Sequence, residues 1–166
     1  MASDPCGGNE FGVVRAKVRQ AVQQLLWRDR YLLEIDIREE AVSHCLAIYL
    51  GHLFPLHDVD CEYDKSVEGH KHNLITGRDI RPDIIVHRRG NNDRNLLVIE
   101  VKKKPCIDDS DSCKAGDCMR DYDYAWAVCI SLQPDKARLQ WQGQGVISAM
   151  LNGPRWDAIE ECGRVR

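Results

Sequence analysis

Three charged residues in the middle of the chain have the types and the spacing of a reactive site. Asp83 follows a proline, and Glu100 and Lys102 lie at the end of an apolar run, within the segment RPDIIVHRRGNNDRNLLVIEVKKK at residues 81–104. Two apolar, β-branched runs flank the turn-forming residues GNND, a pattern typical of a β-hairpin. We therefore expect residues that are distant in the sequence to approach each other across two strands.

The register of this hairpin decides which side chains meet. With Asn91 and Asn92 as the two central residues of the turn, the numbers of opposing residues sum to 183. Asp83 then lies across from Glu100, with their Cβ atoms about 5 Å apart. Because side chains alternate along a strand, Lys102 shares a face with Glu100.

The two opposing carboxylates suit a metal site. They repel each other unless a cation or a proton lies between them. A hard divalent cation such as Mg²⁺ or Mn²⁺ removes the repulsion and keeps coordination sites for water and a phosphate oxygen. The ammonium group of Lys102 could orient or help to deprotonate a water, or stabilise charge in the transition state of phosphodiester hydrolysis. The alternative is structural, with Asp83 and Glu100 in ordinary salt bridges to Lys102 or Arg81.

Helices and strands on both sides of the hairpin must position these residues. Apolar residues at helical spacing predict a first helix at 10–28. Asp36 and Glu39 form the Asp-x-x-Glu version of a capping box, which predicts a second helix from Asp36 to shortly before Pro55. The remaining patterns predict a strand at 59–67, the hairpin strands at 84–87 and 96–101, a short helix at 112–120, a buried strand at 125–132 and an edge strand at 137–142.

Length and composition favour one compact domain. A chain of 166 residues with 43% hydrophobic and 30% charged residues can build one core and is not broadly disordered. We expect a flexible N-terminus at 1–9, a single domain at 10–142 and a tail or short helix at 143–166. Without an apolar run of about 20 residues or a signal-peptide pattern, we expect a cytoplasmic protein with no membrane partner.

The charge is unevenly distributed along the chain. Residues 65–104 contain 10 Lys and Arg against 5 Asp and Glu, whereas both flanking segments are acidic. A basic centre fits contact with a polyanion such as nucleic acid. A solvated basic hairpin is the alternative explanation.

The cysteines suggest a different kind of site. The chain has eight, and without a signal peptide we expect them to be reduced. Cys106, Cys113 and Cys118 cluster in the sequence, although their spacing matches no common zinc pattern. A cysteine-based metal or redox protein is therefore a third hypothesis.

Two short motifs resemble the signature of the PD-(D/E)xK nuclease superfamily. They are Pro82-Asp83 and, after a gap and an apolar run, Glu100-Val101-Lys102. Residues 35–54, 59–63 and 81–104 resemble a group of bacterial hypothetical proteins within that superfamily. The resemblance implies an α/β fold with a restriction-endonuclease-like αβββαβ core, in which helices flank a mixed central sheet. The helix at 10–28 would be an N-terminal addition to this core.

The resemblance also implies a role for each residue of the motifs. Asp83 and Glu100 match the acidic pair that binds Mg²⁺ or Mn²⁺, and the carbonyl oxygen of Val101 would complete the metal shell. Lys102 matches the catalytic lysine.

Residues outside the hairpin complete the implied site. Glu39 best matches the glutamate of the first core helix, which points toward the site in the superfamily, and Glu40 is the alternative. Capping by Asp36 explains Glu39 equally well, and the two roles are compatible. Lys114 is the closest counterpart of a lysine or glutamine on the next helix, although the surrounding DDSDSCKAGDCMRD departs from the family's apolar pattern.

From these features we expect a Mg²⁺-dependent nuclease that acts on DNA rather than RNA, with homodimerisation as a way to cut both strands. The alternative is a catalytically weak or inactive module of the same fold that binds nucleic acid or a protein. Basic residues around the site would contact phosphates without sequence preference: Arg78, Arg81, Arg88, Arg89, Lys103 and Lys104.

Overall fold

The computed structural model describes residues 7–66, 69–70, 77, 79–91, 95–146 and 159–163, and only the backbone at 7–9, 65–66, 69–70 and 111–113. Its helices are α1 (Gly7–Arg28), α2 (Arg30–Glu34), α3 (Glu39–Leu53) and α4 (Asp109–Asp121). Its strands are β1 (Asp58–Cys61), β2 (Lys65–Ser66), β3 (Gly69–His70), β4 (Ile84–His87), β5 (Leu97–Lys102), β6 (Trp126–Gln133), β7 (Lys136–Gly143) and β8 (Ile159–Gly163).

One mixed sheet organises the molecule. Its strand order is β1-β4-β5-β6-β7-β8, and β2 and β3 form a separate two-stranded sheet. The β5–β6 and β7–β8 pairs are parallel, whereas β1–β4, β4–β5 and β6–β7 are antiparallel. The predicted α/β class with a mixed sheet and flanking helices is confirmed. Within the described part of the chain, no helix is both long and apolar enough to span a membrane.

Strand β5 has a core on each side of the sheet. Leu97, Ile99 and Val101 belong to the larger cluster, which includes the buried residues of α1 and α3. Val98 belongs to the smaller cluster, with Ala115 of α4. Glu100 follows the alternation of Val98 and therefore lies on the α4 face.

The hairpin has the predicted register but a different turn. Ile84 pairs with Ile99, so the predicted sum of 183 is confirmed. The turn is centred on Arg89 and Gly90, not on Asn91 and Asn92, because Arg88 and Asn91 form the closing bridge. Gly90 has a φ of 73°, which a glycine adopts without strain. The additional residues lie after Asn91, so the offset does not shift the strands.

Helix α3 begins later than the capping box predicts. Asp36 has a φ of 53°, and the N-cap is Arg38, with no side-chain capping bond. The prediction of a helix start at Asp36 is wrong because both acids bind the end of β5 instead. Asp36 accepts a hydrogen bond from Lys103 Nζ, and Glu39 accepts one from the Lys103 backbone N–H. The predicted end before Pro55 is confirmed, since Leu53 is the last helical residue.

The C-terminal segment adds a strand to the sheet. Within 143–166, where we expected a tail or a short helix, β8 pairs in parallel with β7. Strand β7 is therefore not an edge strand, and that prediction is wrong. The side chain of Glu161 in β8 is 6% exposed and lies against α1, where Arg15 donates hydrogen bonds to its carboxylate. Trp141 of β7 donates another from Nε1. These contacts explain how a charged segment without a strand pattern joins the sheet.

Gly143 ends β7 in a conformation that excludes other residues. Its φ is 131°, and an added Cβ would lie 2.6 Å from Cδ1 of Trp126 and 2.7 Å from the carbonyl oxygen of Ala125. We expect Gly143→Ala to lower the free energy of unfolding by about 2–4 kcal/mol, because strain and overlap add. Urea denaturation measures this change.

Gly51 is the matched control for this substitution. It lies within α3, and an added Cβ would have no neighbour within 4 Å. We expect Gly51→Ala to be neutral or to stabilise the protein by up to about 1 kcal/mol, because alanine favours the helix. Equal effects of the two substitutions would contradict the strained geometry at Gly143.

Candidate active site

The predicted acidic pair lies where β4 begins and β5 ends. Asp83 directly precedes β4, and the observed register continues to place it across from Glu100. The Val101 backbone N–H donates a hydrogen bond of 2.7 Å to Asp83 Oδ2. This bond orients the carboxylate of Asp83 against β5, so the hairpin brings the two acids together as expected.

Glu100 is a buried carboxylate with an altered affinity for protons. Its side chain is 1% exposed, and Lys114 Nζ lies 2.8 Å from its Oε2. Burial, followed by the charge of Asp83, raises the pKa of Glu100 to about 8, against the opposing effects of Lys114 and Lys102. Glu100 therefore tends to hold a proton when no further cation is present.

Lys102 reaches from the end of β5 to helix α3. Its Nζ donates a hydrogen bond of 2.9 Å to Glu39 Oε1, and its side chain is 20% exposed. Burial alone lowers the pKa of Lys102, but the hydrogen bond to Glu39 and the charges of Asp83, Glu39 and Glu100 outweigh it, so the pKa lies above the ordinary value. Lys102 is therefore a cation at neutral pH and a poor general base.

Glu39 connects helix α3 to the strand that carries the other residues. While Oε1 accepts the bond from Lys102, Oε2 accepts a 3.2 Å bond from the Lys103 backbone N–H. The first residue of α3 thus fixes the position of the Lys102 ammonium group. The site contact predicted for Glu39 is present, whereas its capping role is not.

A cavity of about 360 Å³ opens beside these residues. Glu39, Glu40, Arg81, Asp83 and Lys114 among its lining residues are candidates from the sequence, whereas the other lining residues were not predicted to belong to the site. Ser43 and His44 lie one helical turn after the two glutamates of α3, so helical periodicity could have identified them. The complete lining is Glu39, Glu40, Ser43, His44, Cys61, Glu62, Arg81, Asp83 and Lys114.

The acidic pair has the chemistry of a hard-cation site. Its donors are carboxylate oxygens. Burial, followed by the negative charge of Asp83, raises the pKa of Glu100, and a divalent cation between the two acids would offset both effects. Val101 lies beside the pair, and its carbonyl oxygen remains a predicted ligand. Among the residues that the structure describes, no group of three or more His, Cys, Asp and Glu side chains is arranged to hold a metal. The donors present thus fit a cation that keeps several water ligands.

The arginines predicted to contact phosphates lie at the surface and have acceptors within the chain. Arg81 lies 3.6 Å from Glu62 and has 60% of its side chain exposed. Arg88 donates a hydrogen bond from Nε to the Leu56 carbonyl oxygen. Arg89 binds Asp60, and that bond raises the pKa of Arg89. The Arg81–Glu62 pair is exposed on both sides and therefore weak, so a phosphate could replace its acid. The side chain of Asp60, the partner of Arg89, is only 15% exposed.

The other predicted phosphate contacts differ in accessibility. Lys103 is turned toward Asp36 and the Ile37 carbonyl oxygen, and its side chain is 14% exposed. Its position indicates a link between β5 and the start of α3. Lys104 is more accessible, with 38% exposure and an ion pair to Asp108. Arg78 lies outside the described residues.

The cysteine hypothesis has less support from the structure. Cys106 is exposed, whereas Cys118 is buried in the smaller core. The side chain of Cys113 is not among those described. Cys106 and Cys118 therefore lie in different environments, which does not favour a metal bound by both.

Comparisons of this chain with protein-family models, curated proteins and solved structures gave no match.

Proposed function

We propose that this protein is a divalent-metal-dependent nuclease of the PD-(D/E)xK type that hydrolyses phosphodiester bonds in DNA. The observation that carries the proposal is the convergence of Asp83, Glu100 and Lys102 at one end of the β4–β5 hairpin, with Glu39 in contact with the lysine. These are the residues that the sequence motif selects.

Each residue contributes a separate element of this chemistry. A divalent cation held by Asp83 and Glu100 would supply Lewis-acid stabilisation of charge on the phosphate. The Lys102 ammonium group, charged at neutral pH, stabilises the negative charge that develops on the phosphate or on the departing oxygen. Glu39 keeps this ammonium group in position, because the hydrogen bond restrains a long, flexible side chain.

The charges that line the cavity support a role for a cation in binding nucleic acid. Its lining contains four carboxylates and two basic side chains, Arg81 and Lys114, and Lys102 pairs with one of the carboxylates, that of Glu39. A phosphodiester would be repelled by this excess of negative charge unless cations entered with it. A volume of about 360 Å³ lies within the range of small-ligand sites and suits one nucleotide unit better than a whole duplex.

Cleavage of nucleic acid tests the proposal. We expect the protein to cut DNA in Mg²⁺ or Mn²⁺, to lose activity in EDTA and to recover it when the metal is restored. Single- and double-stranded DNA and RNA oligonucleotides are compared in the same assay. Asp83→Asn should abolish cleavage, whereas Asp135→Asn, at an exposed aspartate between β6 and β7, should retain it. Intact substrates in every metal, or equal activity of the two variants, would exclude this mechanism.

A binding module without turnover is the second candidate. The Lys114–Glu100 ion pair already supplies a counter-charge at the acidic pair, and exposed apolar side chains, Trp27 at 82% and Tyr31 at 67%, favour contact with a protein or a second copy of the chain. Salt-dependent DNA binding without cleavage in the same assay would support this candidate over the enzyme.

A further inference from the structure

An ammonium group of helix α4 contacts the carboxylate that we propose as a metal ligand. Lys114 Nζ lies 2.8 Å from Oε2 of Glu100. The two partners differ in accessibility, because the side chain of Glu100 is 1% exposed and that of Lys114 is 40% exposed. The anion is fixed inside the protein, and the cation approaches it from the solvent side.

The ammonium group can leave without a movement of the helix. Ala115 and Cys118 anchor α4 in the smaller core, while Lys114 lines the cavity together with Asp83. Lysine carries a point charge on a flexible four-carbon stem, so rotation of this stem is enough to break the contact. The cavity offers the released group space and acidic neighbours.

Lys114 and a divalent cation would compete for the same carboxylate. A cation shared by Asp83 and Glu100 must approach the oxygens of Glu100, one of which already accepts the hydrogen bond from Lys114. Two positive charges at one carboxylate repel each other strongly when the carboxylate is buried. A purely structural ion pair would persist when metal binds, whereas a counter-charge would be released.

We propose that Lys114 is the internal counter-cation of Glu100, and that a divalent cation binding to Asp83 and Glu100 displaces the Lys114 ammonium group into the cavity. This inference rests on the proposed function, because it uses the same two metal ligands. Metal binding is then an exchange of cations and is weaker than at an acidic pair without a lysine. Wherever Glu100 is ionised in the metal-free protein, Lys114 supplies the positive charge that neutralises the buried carboxylate.

Side-chain NMR of the isotope-labelled full chain follows the displacement directly. The Cε and Nζ signals of Lys114 are assigned from their loss in Lys114→Arg, and Glu100→Gln gives their position without the carboxylate. We expect added Mg²⁺ to move the wild-type signals toward the Glu100→Gln position. Their dependence on Mg²⁺ concentration should match that of binding measured by calorimetry. The signals of Lys136, an exposed lysine in β7, should not move.

A charge-removing substitution measures the competition. At about pH 9, where protons compete least for the carboxylates, we expect Lys114→Met to bind Mg²⁺ about three- to tenfold more tightly than wild type. Arg120→Met is the matched control, because it removes one positive charge from another position on α4 where the partners are Asp117 and Asp121. Its affinity should equal that of wild type.

The outcomes separate this inference from the proposed nuclease. If Mg²⁺ binds while the Lys114 signals do not move, the inference is overturned. The proposed nuclease function still stands in that case if DNA is cut. If Mg²⁺ displaces Lys114 but no nucleic acid is cleaved, the inference is supported and the proposed nuclease function is excluded. Absence of Mg²⁺ binding, or equal affinities of Lys114→Met and Arg120→Met, also overturns the inference.

Discussion

Replacing Lys102 with methionine is expected to lower the rate of DNA cleavage by about 10²- to 10⁴-fold. Methionine keeps the length and the apolar stem of lysine but removes the ammonium group. That group lies 2.9 Å from Glu39 Oε1 and carries a raised pKa. Initial rates with saturating Mg²⁺ and a fixed oligonucleotide substrate measure the loss.

The raised pKa of Lys102 specifies how the lysine acts. A cationic lysine stabilises negative charge or donates a proton, so the rate should not fall as pH decreases through the neutral range on account of Lys102. Glu39→Gln removes the anionic partner and leaves the lysine in place. We expect it to reduce the rate by about 10- to 100-fold, through misplacement of the ammonium group.

A lysine elsewhere in the sheet separates the local effect from a general loss of positive charge. Lys136 is exposed at the start of β7, and Lys136→Met should cut DNA at the wild-type rate. If Lys102→Met also cuts within about threefold of wild type, Lys102 does not take part in the reaction. A loss in both variants would point to weaker substrate binding instead.

The parts of the site that could be predicted from sequence are those set by local alternation. A period of two along β5 places Glu100 on the face opposite to Ile99, and the paired apolar runs fix the register with β4. The turn predicted from GNND was wrong, because Gly90 adopts the positive φ of a tight turn and the observed turn is centred two positions earlier, on Arg89 and Gly90. The predicted register of β4 and β5 is nevertheless correct, because register depends on burial along both strands more than on the loop.

Contacts between distant segments could not be predicted in the same way. The Asp36-x-x-Glu39 pattern satisfies a local rule, yet Glu39 binds Lys102, which is 63 residues away. Tertiary partners thus replaced the capping bond that the pattern favours. Strand β8 presents the same difficulty, since the buried partners of Glu161 in α1 are not visible in its own sequence.

The pH dependence of the free energy of unfolding should reveal the raised pKa of Glu100 without any assay of activity. The pKa of Glu100 is raised to about 8 by burial and by Asp83, whereas in the unfolded chain a glutamate titrates near its ordinary value of about 4.3. Between these values the folded state holds a proton that the unfolded state has released. The contribution of Glu100 to stability is therefore fully present below about pH 4 and is lost as pH rises to about 8.

We expect this loss to be large for a single residue. Linkage gives about 1.4 kcal/mol for each pH unit across the window, with an upper limit of roughly 5 kcal/mol. Glu100→Gln keeps the shape of the side chain without a titrating group. In EDTA, its free energy of unfolding should decline less than that of wild type between about pH 5 and pH 8, and it should be the more stable protein at about pH 9. Urea denaturation at each pH measures the difference.

A second glutamate and added metal make the result specific to the acidic pair. Glu160 of β8 is exposed, and its hydrogen bond from Arg138 lowers its pKa, so Glu160→Gln should keep the wild-type slope over the same pH window. Saturating Mg²⁺ should make the free energy of unfolding of wild type less dependent on pH, because a bound cation favours the ionised carboxylate. It should leave the pH dependence of Glu100→Gln unchanged. If wild type and Glu100→Gln lose stability equally with rising pH in EDTA, burial and Asp83 do not raise the pKa of Glu100, and this support for a cation site at the acidic pair is lost.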